Sequence, residues 1–77
     1  MDISTFVDNF AGQFDDTPAD QITPETTFRD LDEWSSLIAL SIIAMVDEEY
    51  GVTLKGDDIK NATTVRDIFN AVEAKKQ

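Results

Sequence analysis

The chain contains neither cysteine nor histidine. Without cysteine there is no disulfide to staple a small domain and no thiolate for a zinc site, and without histidine the commonest general base and imidazole ligand are missing too. Nucleophilic triads and zinc-dependent hydrolysis are therefore excluded, and an enzyme is not expected. The three glycines, Gly12, Gly51 and Gly56, stand apart and form no phosphate-cradling loop. No apolar run approaches membrane-spanning length, and Met1-Asp2-Ile3-Ser4 lacks the basic start and apolar stretch of a secretion signal. A cytoplasmic protein with no membrane partner is the expectation.

Positive charge is scarce as well, with six Lys and Arg against sixteen Asp and Glu, for a net charge of −10. The imbalance is uneven, since residues 1–50 hold 12 acidic side chains against Arg29 alone, whereas residues 51–77 hold four against five. Such a field repels phosphate backbones, which argues against nucleic acid, and attracts basic protein surfaces. The same charge also serves plain solubility.

What is present is helical periodicity. At 77 residues the chain has room for one domain, spanning 1–77, with a thin core built by helix packing. Ile3, Phe6, Val7, Phe10 and Phe14 recur at offsets of three and four, which predicts a helix from about residue 3 to 14. Asp15-Asp16-Thr17-Pro18 then breaks the pattern, and some twenty residues pass before it returns. A loop that long must be functional or pinned, and Ile22, Phe28 and Leu31 are placed to dock it on the core around a turn or two. Leu37 to Tyr50 holds no Pro or Gly and is followed by Gly51, which predicts a second long helix over about 36–50 with a left-handed stop. Its apolar face is wider than one seam needs. Either all of it packs inward, or Leu37, Ile38 and Met45 stay outside as a contact surface. Gly56 to Ala62 reads as one short helical turn with Asp57 and Asp58 favourable at its start. A last helix, capped by Thr63 or Thr64, carries the stripe Val65, Ile68, Phe69 and Val72, with Lys75 and Lys76 favourable at its end. The fold class is all-α: a small four-helix bundle of three main helices and one short one, with a long first loop.

Little chemistry is on offer. Asp15-Asp16, Asp47-Glu48-Glu49 and Asp57-Asp58 diverge on a helix and read as solvated faces rather than acid–base pairs. Asp30-x-Asp32 matches the start of a calcium loop, but the sixth position, which needs glycine, is Ser35 and the twelfth is Ser41. What remains is Asp32-Glu33-Trp34-Ser35-Ser36-Leu37, where the long loop turns into an apolar helix.

In matching order and spacing, Phe28-Arg29-Asp30-Leu31, Ser36-Leu37, Val46-Asp47-Glu48-Glu49-Tyr50-Gly51 and Thr63-Thr64-Val65 resemble the acyl carrier protein family over nearly the whole chain. The resemblance implies that the serine before leucine, here Ser36, receives 4′-phosphopantetheine from coenzyme A through a magnesium-dependent phosphopantetheinyl transferase. It further implies a monomeric carrier that holds acyl or aminoacyl cargo as thioesters in fatty acid, polyketide or nonribosomal peptide biosynthesis, served by a loading ligase and by processing enzymes with basic docking surfaces. The alternative is an acidic interaction module that keeps the fold without the prosthetic group.

The family usually has Asp-Ser-Leu, and Ser35 stands in the Asp place. If Ser35 caps the helix as that Asp would, Ser36 falls at the first helical position with its hydroxyl free. Trp34 would staple the loop against Ala39. Asp32, Glu33, Leu37, Ile38, Met45, Asp47, Glu48 and Glu49 are the expected partner-binding residues. Ile38 and Ser41 occupy places where fatty acid carriers usually present acidic residues, which implies dedicated partners and a more apolar face near the arm.

Overall fold

The computed structural model describes residues 2–76, so the expectation about the chain's start involves Met1, which lies outside them. The first helix, α1, runs Ile3–Ala11, and its N-cap Asp2 accepts a hydrogen bond from Ser4 N. It is shorter than the predicted 3–14. The chain leaves the α-helix at Gly12, and tighter turns follow, with Gln13 N donating to Phe10 O and Phe14 N to Ala11 O. These turns still deliver Phe14 to the core at 6 % exposure, which is why its spacing imitates one more helical turn.

Helix α2 spans Ser36–Tyr50, as the periodicity predicts. It stops at Gly51, whose φ of 66° is left-handed and whose N–H donates to Asp47 O. Helix α3 is the short element Gly56–Lys60, where the Asp58 carboxylate accepts from Lys55 N at 2.8 Å. Helix α4 runs Val65–Lys76. Thr64, rather than Thr63, is its cap: Thr64 Oγ1 accepts from Asp67 N, and the Asp67 carboxylate accepts in return from Thr63 N and Thr64 N. Helix α1 packs against α2 and α4, and α3 against α4, with no strand among the described residues beyond one isolated bridge between Thr27 and Thr64.

All seven aromatic rings belong to one connected set. It runs from Phe69 to Phe6 at 5.5 Å between centroids, from Phe6 to Tyr50 and Phe10, and from Phe10 to Phe14 and Phe28. Trp34 closes it, 4.7 Å from Phe28 and 6.4 Å from Phe14. Each tilted or edge-on pair contributes about 0.5–1.5 kcal/mol beyond its buried area. The rings therefore tie the foot of α2 to the centre of the core, and among the described residues no polar side chain is buried.

The connection from α1 to α2 is long but pinned, as the docking residues imply. Ile22 and Phe28 are buried and Leu31 packs on the core. Two short 3₁₀ turns, Ala19–Gln21 and Phe28–Asp30, and a turn closed by Thr26 N to Thr23 O give it shape. At the head of α4, Val65 N donates to Thr26 O and Arg66 N to Pro24 O, while the Arg66 guanidinium pairs with Glu25 at 2.7 Å. Farther along, Arg29 donates to Ile59 O and Ala62 O at 2.6 Å each and to Lys60 O at 2.7 Å, closing the far end of α3. Among the described residues no helix is long and apolar enough to cross a membrane.

Candidate functional site

Ser35 and Ser36 meet at the start of α2 in two different conformations. Ser35 is extended, with φ −157° and ψ 171°, and its Oγ accepts from Ile38 N at 3.3 Å. Its carbonyl accepts the first helical bond, from Ala39 N at 3.0 Å. Ser36 is the first residue of α2, it is exposed, and among the described residues its hydroxyl has no hydrogen-bond partner. Of the two hydroxyls, one is engaged in a cap and the other is free to be modified.

The surroundings fit an attached phosphodiester. The first amides of a helix lack intrahelical acceptors, and the dipole there favours an anion by about 0.3–1 kcal/mol when exposed. The first turn of α2 contains no acidic residue. Glu33, three positions earlier, has its charge already engaged. Its carboxylate accepts from Asp15 N at 2.7 Å, Asp16 N at 3.0 Å, and both Thr17 N and Thr17 Oγ1 at 2.9 Å. Burial alone would raise the Glu33 pKa, but these hydrogen bonds from residues 15–17 outweigh it and hold the carboxyl below its usual 4.5. Beside Ser36 lies a shallow, largely apolar groove of about 420 Å³ whose lining includes Trp34, Ala39, Leu40, Ile43 and Ile59. Trp34 does not act as the simple staple expected: it lines this groove with Ala39, but its ring is anchored on Phe28 and Phe14.

The remaining expected partner residues separate into three groups. Leu37, Asp32, Asp47, Glu48 and Glu49 are exposed. Ile38 and Met45 are not: they are 9 % and 6 % exposed, because with Ile42 and Val46 they form the side of α2 that packs on the core. Glu33 is likewise unavailable, since it holds the 15–17 turn. Leu40, not anticipated from the sequence, stays 63 % exposed beside Leu37 at 72 %. Helical spacing puts Ser36, Leu37, Leu40, Ala44, Asp47 and Glu48 on one outward stripe. That phase was available in the sequence once the buried side of the helix was known. No group of three or more Asp or Glu side chains among the described residues is arranged to hold a metal.

Comparison with known proteins identifies a family. The family model for the phosphopantetheine attachment site matches residues 6–72. An acyl carrier protein of Thermobifida fusca (strain YX) is 30% identical over 71 residues, which cover 92% of this chain and 85% of that protein. No solved structure gives a significant match. An all-helical fold, a free serine hydroxyl at the head of α2 and a match over most of the chain together place it in the phosphopantetheine-attachment family, as a carrier protein rather than an enzyme.

Proposed function

We propose that Ser36 is the attachment residue and that the chain, as one cytoplasmic carrier domain, presents acyl or aminoacyl intermediates to partner enzymes. The observation that carries this reading is the division of labour between the two serines: Ser35 caps α2, leaving the Ser36 hydroxyl exposed and unpartnered. Attached there, 4′-phosphopantetheine supplies a terminal thiol that holds cargo as a thioester. The protein's own part is to tether and present. Tethering raises the local concentration of cargo at a partner's active site, and the groove beside Ser36 gives an apolar cargo somewhere to lie.

Partners reach the site along the outward stripe of α2. Close to Ser36 the stripe is apolar, through Leu37 and Leu40, and its acidic residues Asp47 and Glu48 come about 15 Å farther along, at 1.5 Å per residue. A matching surface has an apolar depression near its catalytic opening and basic residues beyond it. The phosphopantetheinyl transferase, a loading ligase and later processing enzymes meet this face, and its apolar half favours dedicated partners over the general fatty acid machinery. Loading and elongation at normal rates by a standard fatty acid synthase set would overturn that part.

The attachment itself is tested by intact mass. The wild type, Ser36→Ala and Ser35→Ala are incubated with coenzyme A, magnesium and a promiscuous phosphopantetheinyl transferase. Modification abolished only in Ser36→Ala is the expected result. An unmodified wild type would instead favour an interaction module without a prosthetic group.

A further inference from the structure

Two adjacent serines pose a problem that cap chemistry alone does not solve. Either hydroxyl makes a good N-cap, so Ser-Ser-Leu can open a helix in two registers one residue apart. In the observed register Ser35 caps Ile38 N and Ser36 is free. In the alternative, the helix would open at Leu37, and the Ser36 hydroxyl would turn back onto a first-turn amide, where it is neither exposed nor free to react. Something outside the pair must choose.

We infer that Glu33 makes this choice: it is the positioning residue whose carboxylate, seated on the amides of residues 15–17, fixes the approach of the chain to α2 and keeps the Ser36 hydroxyl uncapped. The inference rests on Ser36 being the attachment residue. Three consecutive backbone N–H groups and the Thr17 hydroxyl converge on this one carboxylate, an anion nest occupied from within the chain. The bonds span 16 to 18 residues, so they close the loop rather than shape a local turn. Only Trp34 and Ser35 separate Glu33 from Ser36. Trp34 has little freedom of its own, because its N–H donates to Leu31 O at 3.0 Å and its ring lies against Phe28 and Phe14. A slip to the other register would make Ser36 extended and require the two residues before it to move, which the seated carboxylate resists. A glutamine at 33 keeps one acceptor oxygen in place of the two used here, and an alanine keeps none.

The test compares Glu33→Gln and Glu33→Ala with Val72→Ala, a fully buried position on α4 that destabilises the fold without touching the loop. All are studied at a temperature where circular dichroism shows them folded. In the Glu33 variants, the Cα and Cβ chemical shifts of Ser36 move from helical toward N-cap values, and the Ala39 amide exchanges about tenfold faster, as its bond to Ser35 O is lost part of the time. Transferase loading falls with the fraction of molecules that the shifts report in the capped register, about twofold where the two registers are equally populated, through kcat with KM little changed because the α2 face is intact. Glu33→Gln lies between wild type and Glu33→Ala, and Val72→Ala shows none of these changes. Helical Ser36 shifts with wild-type Ala39 exchange in Glu33→Ala overturn the inference, as does equal slowing in Val72→Ala. A wild type that accepts no group at Ser36 refutes the attachment reading instead, and the shifts and exchange still judge the register.

Discussion

Replacement of Arg29 by alanine should be among the most destabilising changes available on this surface. Its guanidinium donates three short hydrogen bonds, to Ile59 O, Lys60 O and Ala62 O, and lies 5.0 Å from the centre of the Phe28 ring. Hydrogen bonds to a charged group contribute about 1.5–3 kcal/mol each when well shielded. Arg29 is exposed, and the carbonyls would regain water once it is gone, so the three together are worth closer to 2 kcal/mol, with about 0.5 kcal/mol from the cation over the ring. A loss of about 2–3 kcal/mol in a domain of this size lowers Tm by roughly 10–20 °C. Thermal and urea melts followed by circular dichroism measure it directly, with an unchanged urea slope showing that stability rather than compactness has changed. Arg29→Lys keeps the charge but offers a single point donor in place of a fork, so it should fall between the two. An Arg29→Ala protein that melts within about 2 °C of wild type would refute the view that this side chain clamps α3 to the loop.

Gly51→Ala is expected to cost about 1 kcal/mol, all of it from backbone strain at φ 66°, since an added Cβ meets nothing within 4 Å. A Tm unchanged within error would argue against the left-handed stop. Tyr50→Phe removes the acceptor of the 2.9 Å bond from Asn9 Nδ2 and should cost about 1 kcal/mol in urea denaturation while leaving Ser36 loading intact. For pH, the Glu33 carboxyl is held below its usual 4.5, so the unfolded chain takes up protons first on acidification. The stability this group contributes is complete above about pH 4.5 and drains away as pH falls through its lowered folded value. Asp58, lowered chiefly by the Lys55 N–H against an opposing effect of burial and helped by Lys75, and Asp67, lowered by the Thr64 and Thr63 amides, act in the same sense. Denaturation curves from pH 7 to about pH 3 should therefore show a weakening that is shallower in Glu33→Gln; identical pH profiles for the two proteins would contradict it.

The helices were legible where the signal is local. Tyr50-Gly51 declares the end of α2 because only glycine takes the left-handed stop cheaply, and the threonine pair marks the start of α4, although the choice of Thr64 over Thr63 and its return bond to Asp67 came only with the structure. The capping role of Ser35 was legible for a similar reason, whereas two serines at a helix start do not by themselves single out Ser36, which was picked out by the resemblance of Ser36-Leu37 to the family pattern. The end of α1 was not legible, because Phe14 keeps helical spacing while reached by tighter turns. Nor were the roles of Glu33 and Arg29, whose partners lie 16 to 33 residues away and leave no periodic trace. Ile38, Met45 and Leu40 show the limit most clearly. All three are apolar residues on one helix, and only the direction from which α1 and the loop pack against α2 decides which of them meets water.

The placement of Trp34 has a practical consequence. It is the chain's one tryptophan, it sits two residues from Ser36, and its indole forms part of the wall beside that serine. Its emission colour and quenching therefore follow whatever lies against that wall, so attachment at the proposed site and the arrival of cargo there can be followed by native fluorescence in a chain that has no cysteine of its own to carry a dye.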